Sequence, residues 1–227
     1  MKAIILAAGE GTRLKPLTLD IPKSLISIGG KPIIDRIFES LPDEIDEVFI
    51  VVGHLKEKIK SHLGDNFRGK KVSYANQIDK HGTFGALLSA RSFLSEGEVF
   101  LVLNGDDIHR KEELQKFMSG MRSFGVQKMI MPNYYSVLVN DDDHIEGFRS
   151  QTEEEKKSGT LVATGVYTLD TKIFDHPGVV VNGGEYGLPQ TILAQKDLYP
   201  VKAILTTSWF PINSFEDIEK FKTNFPT

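Results

Sequence analysis

The chain has 227 residues, 40% of them hydrophobic and 26% charged, with a net charge of −4 and no cysteine. This composition excludes a disordered or disulfide-stapled chain, and the missing thiols exclude thiolate catalysis and zinc–thiolate sites. The acidic balance argues against a general nucleic-acid binder, and no apolar run approaches the roughly 20 residues of a membrane span.

In chain order, the apolar run Ala3–Ala8 predicts a first strand, stopped by glycine. The run is shorter than the roughly 7–15 residues of a signal-peptide core, so a cytoplasmic location is expected. Gly9-Glu10-Gly11-Thr12-Arg13 follows at once. Glycines allow backbone N–H groups to close on a polyanion, Arg13 adds a planar fork of donors, and Lys15 and Lys23 add compact positive charge. Residues 1–36 hold six basic against three acidic groups in an otherwise acidic chain, which points to a small anionic ligand bound locally. By itself a Gly-x-Gly pair is also an ordinary tight turn. The dinucleotide fingerprint needs a third glycine where Leu14 stands, and a Walker Gly-Lys-Ser/Thr is missing.

Pro32 opens a helix expected to run to about Leu41, with Ile33, Ile34, Ile37, Phe38 and Leu41 at core spacing. Val48–Val52 reads as a strand covered on both faces. A helix at 55–63, a strand at 71–75, a helix at 84–94 and a strand at 99–103 continue the alternation, and a helix is expected over 112–123. Residues 127–148 read as strands with a solvated turn at 140–143, and 153–159 as an exposed, mobile segment. Then come a strand at 161–169, a glycine loop at 183–185, a helix at 188–195 and a strand at 201–206. The final helix starts at Ser214, which with Asp217 fits a capping box, and Ile218, Phe221 and Phe225 supply its apolar face. The alternation predicts an α/β fold: a single domain with a Rossmann-like, doubly wound, mostly parallel mixed sheet. Ligands of such sheets sit beyond the strand carboxyl ends, which puts Gly9 and Asn104-Gly105-Asp106 on one rim.

The whole string G-x-G-T-R-L-x-P-L-T-x-x-x-P-K-x-L, carried by Gly9, Gly11, Thr12, Arg13, Leu14, Pro16, Leu17, Thr18, Pro22 and Lys23, resembles the sugar-1-phosphate nucleotidylyltransferases. The resemblance covers most of the chain and is densest over residues 3–34. It implies an enzyme that joins an NTP, with UTP or dTTP favoured, to a sugar 1-phosphate with Mg²⁺ as cofactor, giving an NDP-sugar and pyrophosphate. Residues 1–108 would form the NTP-binding half and 109–227 the acceptor half. Leu6, Ala8, Gly9, Gly11, Thr12 and Arg13 would line the nucleotide, with Gln77, Gly82 and Thr83 at the base. An amide such as that of Gln77 offers a donor and an acceptor side by side, as the uracil edge requires. Asn104, Gly165 (in Ala163-Thr164-Gly165-Val166-Tyr167) and Glu185 would contact the sugar. Arg13, Lys23 and Asp106 are the expected catalytic residues. Asp106, which is otherwise read as a strand-end turn aspartate, would hold the metal.

Three departures from the family stand out. Ser150 and Gln151 occupy the place of a usual Glu-Lys pair, leaving Arg149 or Lys156 as substitutes. In Trp209-Phe-Pro-Ile-Asn-Ser214, Pro211 stands at the usual aspartate, and Asn213 would supply the second metal oxygen instead. The chain is also compact, and no hexapeptide repeats trail the domain, so the acetyltransferase half of some members is not expected. These features keep a cytidylyltransferase acting on phosphocholine or a polyol phosphate as an alternative, with Tyr134, Tyr135, Tyr167, Tyr186 and Trp209 as aromatic candidates for a cation cage. A non-catalytic nucleotide-binding regulator ranks last. No nucleic-acid or membrane partner is expected, and the chain is expected to be a monomer or small homo-oligomer.

Overall fold

The computed structural model describes residues 1–77, 82–181 and 183–224, the side chains of 222–224 excepted. Eight strands form one sheet in the order 202–205, 123–129, 160–170, 99–104, 2–6, 47–52, 70–76, 66–67. Strands 99–104, 2–6, 47–52 and 70–76 run parallel to their neighbours in this block. Strand Thr160–Asp170 is antiparallel to both 99–104 and 123–129, and 202–205 is parallel to 123–129. The expected Rossmann-like, mostly parallel mixed sheet is present.

Alternation explains its two covered faces. Ala3, Ile5, Val48, Ile50 and Val52 enter one core with helices Ile33–Ser40, Lys56–Leu63 and Phe215–Asn224. Ile4, Phe49, Val51, Phe100 and Val102 enter the other with helices Gly82–Ser89 and Leu188–Ala194. Strand residues pointing alternately to two apolar layers must be apolar throughout. The final helix starts as expected: Ser214 N–H donates to Asp217 Oδ2 at 2.8 Å and Asp217 N–H to Ser214 Oγ at 3.3 Å. Phe225 lies outside the described residues. No helix among the described residues is long and apolar enough to cross a membrane.

Several boundaries differ from the sequence expectation. The helix expected over 112–123 is Lys111–Gln115 plus a 3-10 turn Lys116–Ser119, ended by Gly120 at φ 78°. Strand Ser123–Met129 then begins, and Met121, which helical spacing from Leu114, Phe117 and Met118 would place on the core side, is 57% exposed. A left-handed glycine stops a helix more firmly than periodicity extends it. The helix expected to reach 94 breaks after Ser89 into a 3-10 turn, Arg91–Phe93. Residues 153–159 are not a loose segment: Glu155–Ser158 is a helical turn, and Glu155 receives two bonds of 2.7 Å from Arg149. Strand Trp209–Pro211, unread in the sequence, pairs with Asp107–His109.

Candidate active site

Strand 2–6 is flanked by 47–52 on one side and 99–104 on the other, so the chain order reverses beside it. This is the crevice where doubly wound sheets hold ligands. Leu6 pairs with Asn104, and Gly105 N–H donates to Leu6 O at 2.9 Å. A Cβ on Gly105 would lie 2.8 Å from that carbonyl, and one on Gly53 would lie 2.7 Å from Ala8 O. Both glycines permit the strand ends to close on each other. Nothing in the local sequence marks Gly53, because its neighbour is set by a parallel pairing rather than by adjacent residues.

The two loop glycines have different reasons to be glycine. Gly11 has φ +64°, and its Cβ would meet Thr18 Cγ2 at 2.9 Å. Thr18, buried, donates its hydroxyl to Gly11 O at 3.0 Å and so closes the loop on itself. Gly9 has no atom within 4 Å of where its Cβ would be. The space above Gly9 is therefore open to a ligand rather than taken by the fold. Thr12 and Arg13 sit exposed on the one-turn helix Thr12–Leu14, which buried Leu14 anchors.

Four predicted residues converge at this rim. Lys23 Nζ donates to Asp106 Oδ2 and, at 3.2 Å, to Asn213 Oδ1. Arg13 Nη2 donates to the same Asn213 oxygen at 3.1 Å. Ile212 N–H donates to Asp106 O at 2.9 Å, which seats the turn carrying Asn213 beside Asp106. Asn213 Nδ2 donates to Tyr134 Oη at 2.9 Å. With two cations on one end of the amide and a hydroxyl on the other, the network itself dictates which end is oxygen. The departure at Pro211 is thus explained: Pro211 is buried in the strand opposite Asp107, and Asn213 reaches the charge centre. Asp106 and Asn213 present two convergent oxygens, the donor type suited to a hard divalent cation. Among the described residues no larger group of carboxylates, histidines or cysteines with metal-ligand spacing occurs.

Beneath the rim lies a second row of contacts. Asp107 accepts from Trp209 Nε1 and from Asn104 Nδ2, each at 2.8 Å. Burial and then the Asp106 charge raise the Asp107 pKa, while the indole and amide donors pull it down. The Trp209 ring meets the Tyr134 ring edge-on at 6.0 Å between centroids. Burial, followed by the charges of Asp107 and Asp106, raises the Tyr134 pKa, so the phenol stays protonated. His109 is 3% exposed, and burial lowers its pKa to about 4 against the opposing pull of the Thr164 backbone and the Glu113 charge. The sequence offers Tyr134 only as a cage aromatic. Its contact with Asn213 spans 79 residues and leaves no local signal.

The remaining predicted residues divide into two sets. Gly82 has φ +66°, and a Cβ there would lie 2.7 Å from Tyr186 O and 2.9 Å from Glu185 Cβ, so glycine lets the segment near Gln77 abut the 185–186 loop. Gln77 Nε2 donates to Gly82 O at 3.4 Å, and Glu185 is exposed in that loop. Thr83 Oγ1, by contrast, accepts from Leu188 N–H at 2.9 Å and anchors the helix at 188. At Gly165 (φ +70°) a Cβ would fall 2.0 Å from Asp107 Oδ2 and 2.4 Å from Asn104 Nδ2. Those two side chains occupy the room that glycine provides. Arg149 is engaged by Glu155 and Lys156 by Glu153, while Gln151 is buried with its Nε2 donating to Met131 O at 2.9 Å. Of the aromatic cage candidates, Tyr167 is buried edge-on against Phe124, and Trp209 is spent on Asp107.

The family model for nucleotidyl transferases matches residues 2–186. The chain is 35% identical over 175 residues to the bifunctional protein GlmU of Methanocaldococcus jannaschii, covering 77% of this chain but 41% of that one. It is 34% identical over 202 residues to the UTP–glucose-1-phosphate uridylyltransferase AglF of Haloferax volcanii, covering 85% of this chain and 82% of the relative. Among solved structures, a UDP-glucose pyrophosphorylase complexed with UDP-glucose superposes with a TM-score of 0.84 at 18% identity, covering 99% of this chain and 97% of the other.

Proposed function

The chain belongs to the nucleotidyl transferase family of sugar-1-phosphate nucleotidylyltransferases, and on that premise we propose that it transfers a nucleoside monophosphate from UTP or dTTP to a sugar 1-phosphate, releasing pyrophosphate. The observation that carries the reading is the convergence of Arg13, Lys23, Asp106 and Asn213 at the strand-order reversal. The Haloferax relative is named for UTP and glucose 1-phosphate, which favours uridine and a hexose phosphate here.

In the proposed reaction a phosphate oxygen of the acceptor attacks the α-phosphorus of the NTP in line. A new P–O bond forms, and the bond to the bridging oxygen breaks with pyrophosphate leaving. The nucleophile is already an anion, so the protein has no proton to remove and contributes positioning and charge neutralisation. The glycine loop 9–11 cradles the triphosphate, Arg13 faces the leaving pyrophosphate, and Lys23 draws the two phosphates together against their repulsion. Asp106 and Asn213 would hold Mg²⁺, which when bound neutralises charge on the α-phosphate. Gln77 and Gly82 read the base, and Asn104 and Glu185 bound the acceptor side, with Gly165 making room for Asn104 beside Asp107. Residues 1–108 supply the NTP half and 109–227 the acceptor half, with Asn213 reaching back across the boundary.

The test is pyrophosphate release with five NTPs against a panel of sugar 1-phosphates and phosphocholine. Turnover with UTP or dTTP and a hexose 1-phosphate is expected. Activity confined to CTP with phosphocholine, or no release with any pair, would overturn the proposal.

A further inference from the structure

Strand 160–170 passes the catalytic rim at its middle, where Val166 pairs with Leu103, and ends at the far end of the sheet, where Asp170 pairs with Val99. At that far end lies a cleft of about 360 Å³ lined by Arg122, His144, Asp170, Lys172, Tyr199 and Lys202. Three cations and a histidine thus face one carboxylate, in a chain whose net charge is −4.

That carboxylate is fully engaged. Arg122 holds Asp170 through Nε at 2.8 Å and Nη2 at 2.5 Å, and Lys172 N–H donates to it at 2.8 Å. Burial pushes the Asp170 pKa up, but these donors outweigh it and keep the group ionised. Among the described residues no ion pair engages the ammonium of Lys172 or Lys202. Lys172 Nζ lies 5.1 Å from the centre of the Tyr199 ring, and the Arg122 guanidinium lies 4.3 Å from the same ring. Like charges gathered at a concave surface repel one another, and an anion in the cleft relieves that repulsion. The walls are not uniformly polar: Met121 and Leu198 also line the cleft and are 57% and 79% exposed.

We infer that this cleft binds a small phosphorylated molecule, its phosphate held by Lys172, Lys202 and His144 and its apolar part laid on Leu198 and Met121. The site is separate from the catalytic rim and does not depend on the reaction proposed there.

Titration calorimetry on the intact protein tests this with UMP and inorganic phosphate as probes. Lys23→Ala should weaken UMP binding at the rim and leave one UMP site. The Lys172→Ala/Lys202→Ala pair should weaken that remaining site on the order of tenfold per charge removed, while pyrophosphate release stays at the wild-type rate. Lys202→Glu alone should do the same, since both lysines are at the surface. UMP should bind the far cleft about tenfold more tightly than inorganic phosphate, as its nucleoside covers the exposed Leu198 and Met121. A single UMP site abolished by Lys23→Ala, or a second site indifferent to the lysine substitutions, would overturn the proposal. Equal affinity for the two probes would overturn the part assigned to Leu198 and Met121.

Discussion

Asn213 turns its side-chain oxygen to the Lys23 ammonium at 3.2 Å, across 190 residues of chain. The contact joins the N-terminal loop to the turn before the last helix, and Asp106 shares the same ammonium. An arginine, a lysine, an aspartate and an asparagine from three distant segments therefore act on one small volume. Removing any one of them should affect function more than stability, because the pairs are partly solvated and such pairs stabilise little.

Lys23→Ala and Asp106→Ala should each lower kcat/KM for pyrophosphate release on the order of 10²–10³, by analogy with other preorganised charges. Circular dichroism should show an unchanged fold. Near-normal turnover in either variant would remove these residues from the chemistry.

Tyr134 should act by holding Asn213, to which it offers its hydroxyl at 2.9 Å. Tyr134→Phe leaves the amide nitrogen without that acceptor and frees the amide to rotate. The KM for divalent metal is expected to rise several-fold with little change in melting temperature. In an Asn213→Asp background both terminal atoms are oxygen and no amide flip remains to be prevented, so Tyr134→Phe, which then removes only a hydroxyl donating to the carboxylate, should raise the metal KM less than it does with Asn213. A double-mutant cycle with additive effects would refute the positioning role.

The glycines at 9 and 165 should respond in opposite ways. Gly165→Ala forces a Cβ to within 2.0 Å of Asp107 at a φ of +70° and should destabilise the protein by about 2–5 kcal/mol in denaturant unfolding. Gly9→Ala meets no atom within 4 Å, so unfolding should be nearly unchanged while NTP affinity falls. Equal effects on stability would contradict the distinction.

His109 should make folding less favourable in acid. Its native pKa of about 4 lies below the ordinary 6.5, so between these values the unfolded chain binds a proton that the native state refuses. Its contribution is therefore fully present above about pH 6.5 and is lost as pH falls towards 4, up to about 3 kcal/mol. Asp107, whose pKa is raised, works with the opposite sign over part of this range. The measurement is therefore the difference between wild type and His109→Leu: unfolding free energies of the two should diverge between about pH 7 and pH 5. Parallel pH profiles would show that His109 has the same pKa in the native and unfolded states, and divergence of the opposite sign would show that it is protonated in the native state.

The strand–loop sequence from Ala3 to Lys23, the apolar alternation, the capping box at Ser214 and the aspartate after strand 99–104 were all legible from the amino acids alone. Each is a local pattern: its physical cause acts within a few residues, through glycine backbone freedom, side-chain alternation or a helix-end hydrogen bond. They sufficed for the sheet, the rim and the charged residues on it. The tertiary structure alone decided that strand 160–170 runs antiparallel, that Asn104 and Asp107 fill the room at Gly165, and that Tyr134 and Asn213 meet. Those relationships join segments tens to hundreds of residues apart, so no window of sequence carries their register. They follow from how the two apolar faces close, which sets where each loop emerges and which side chains share its space.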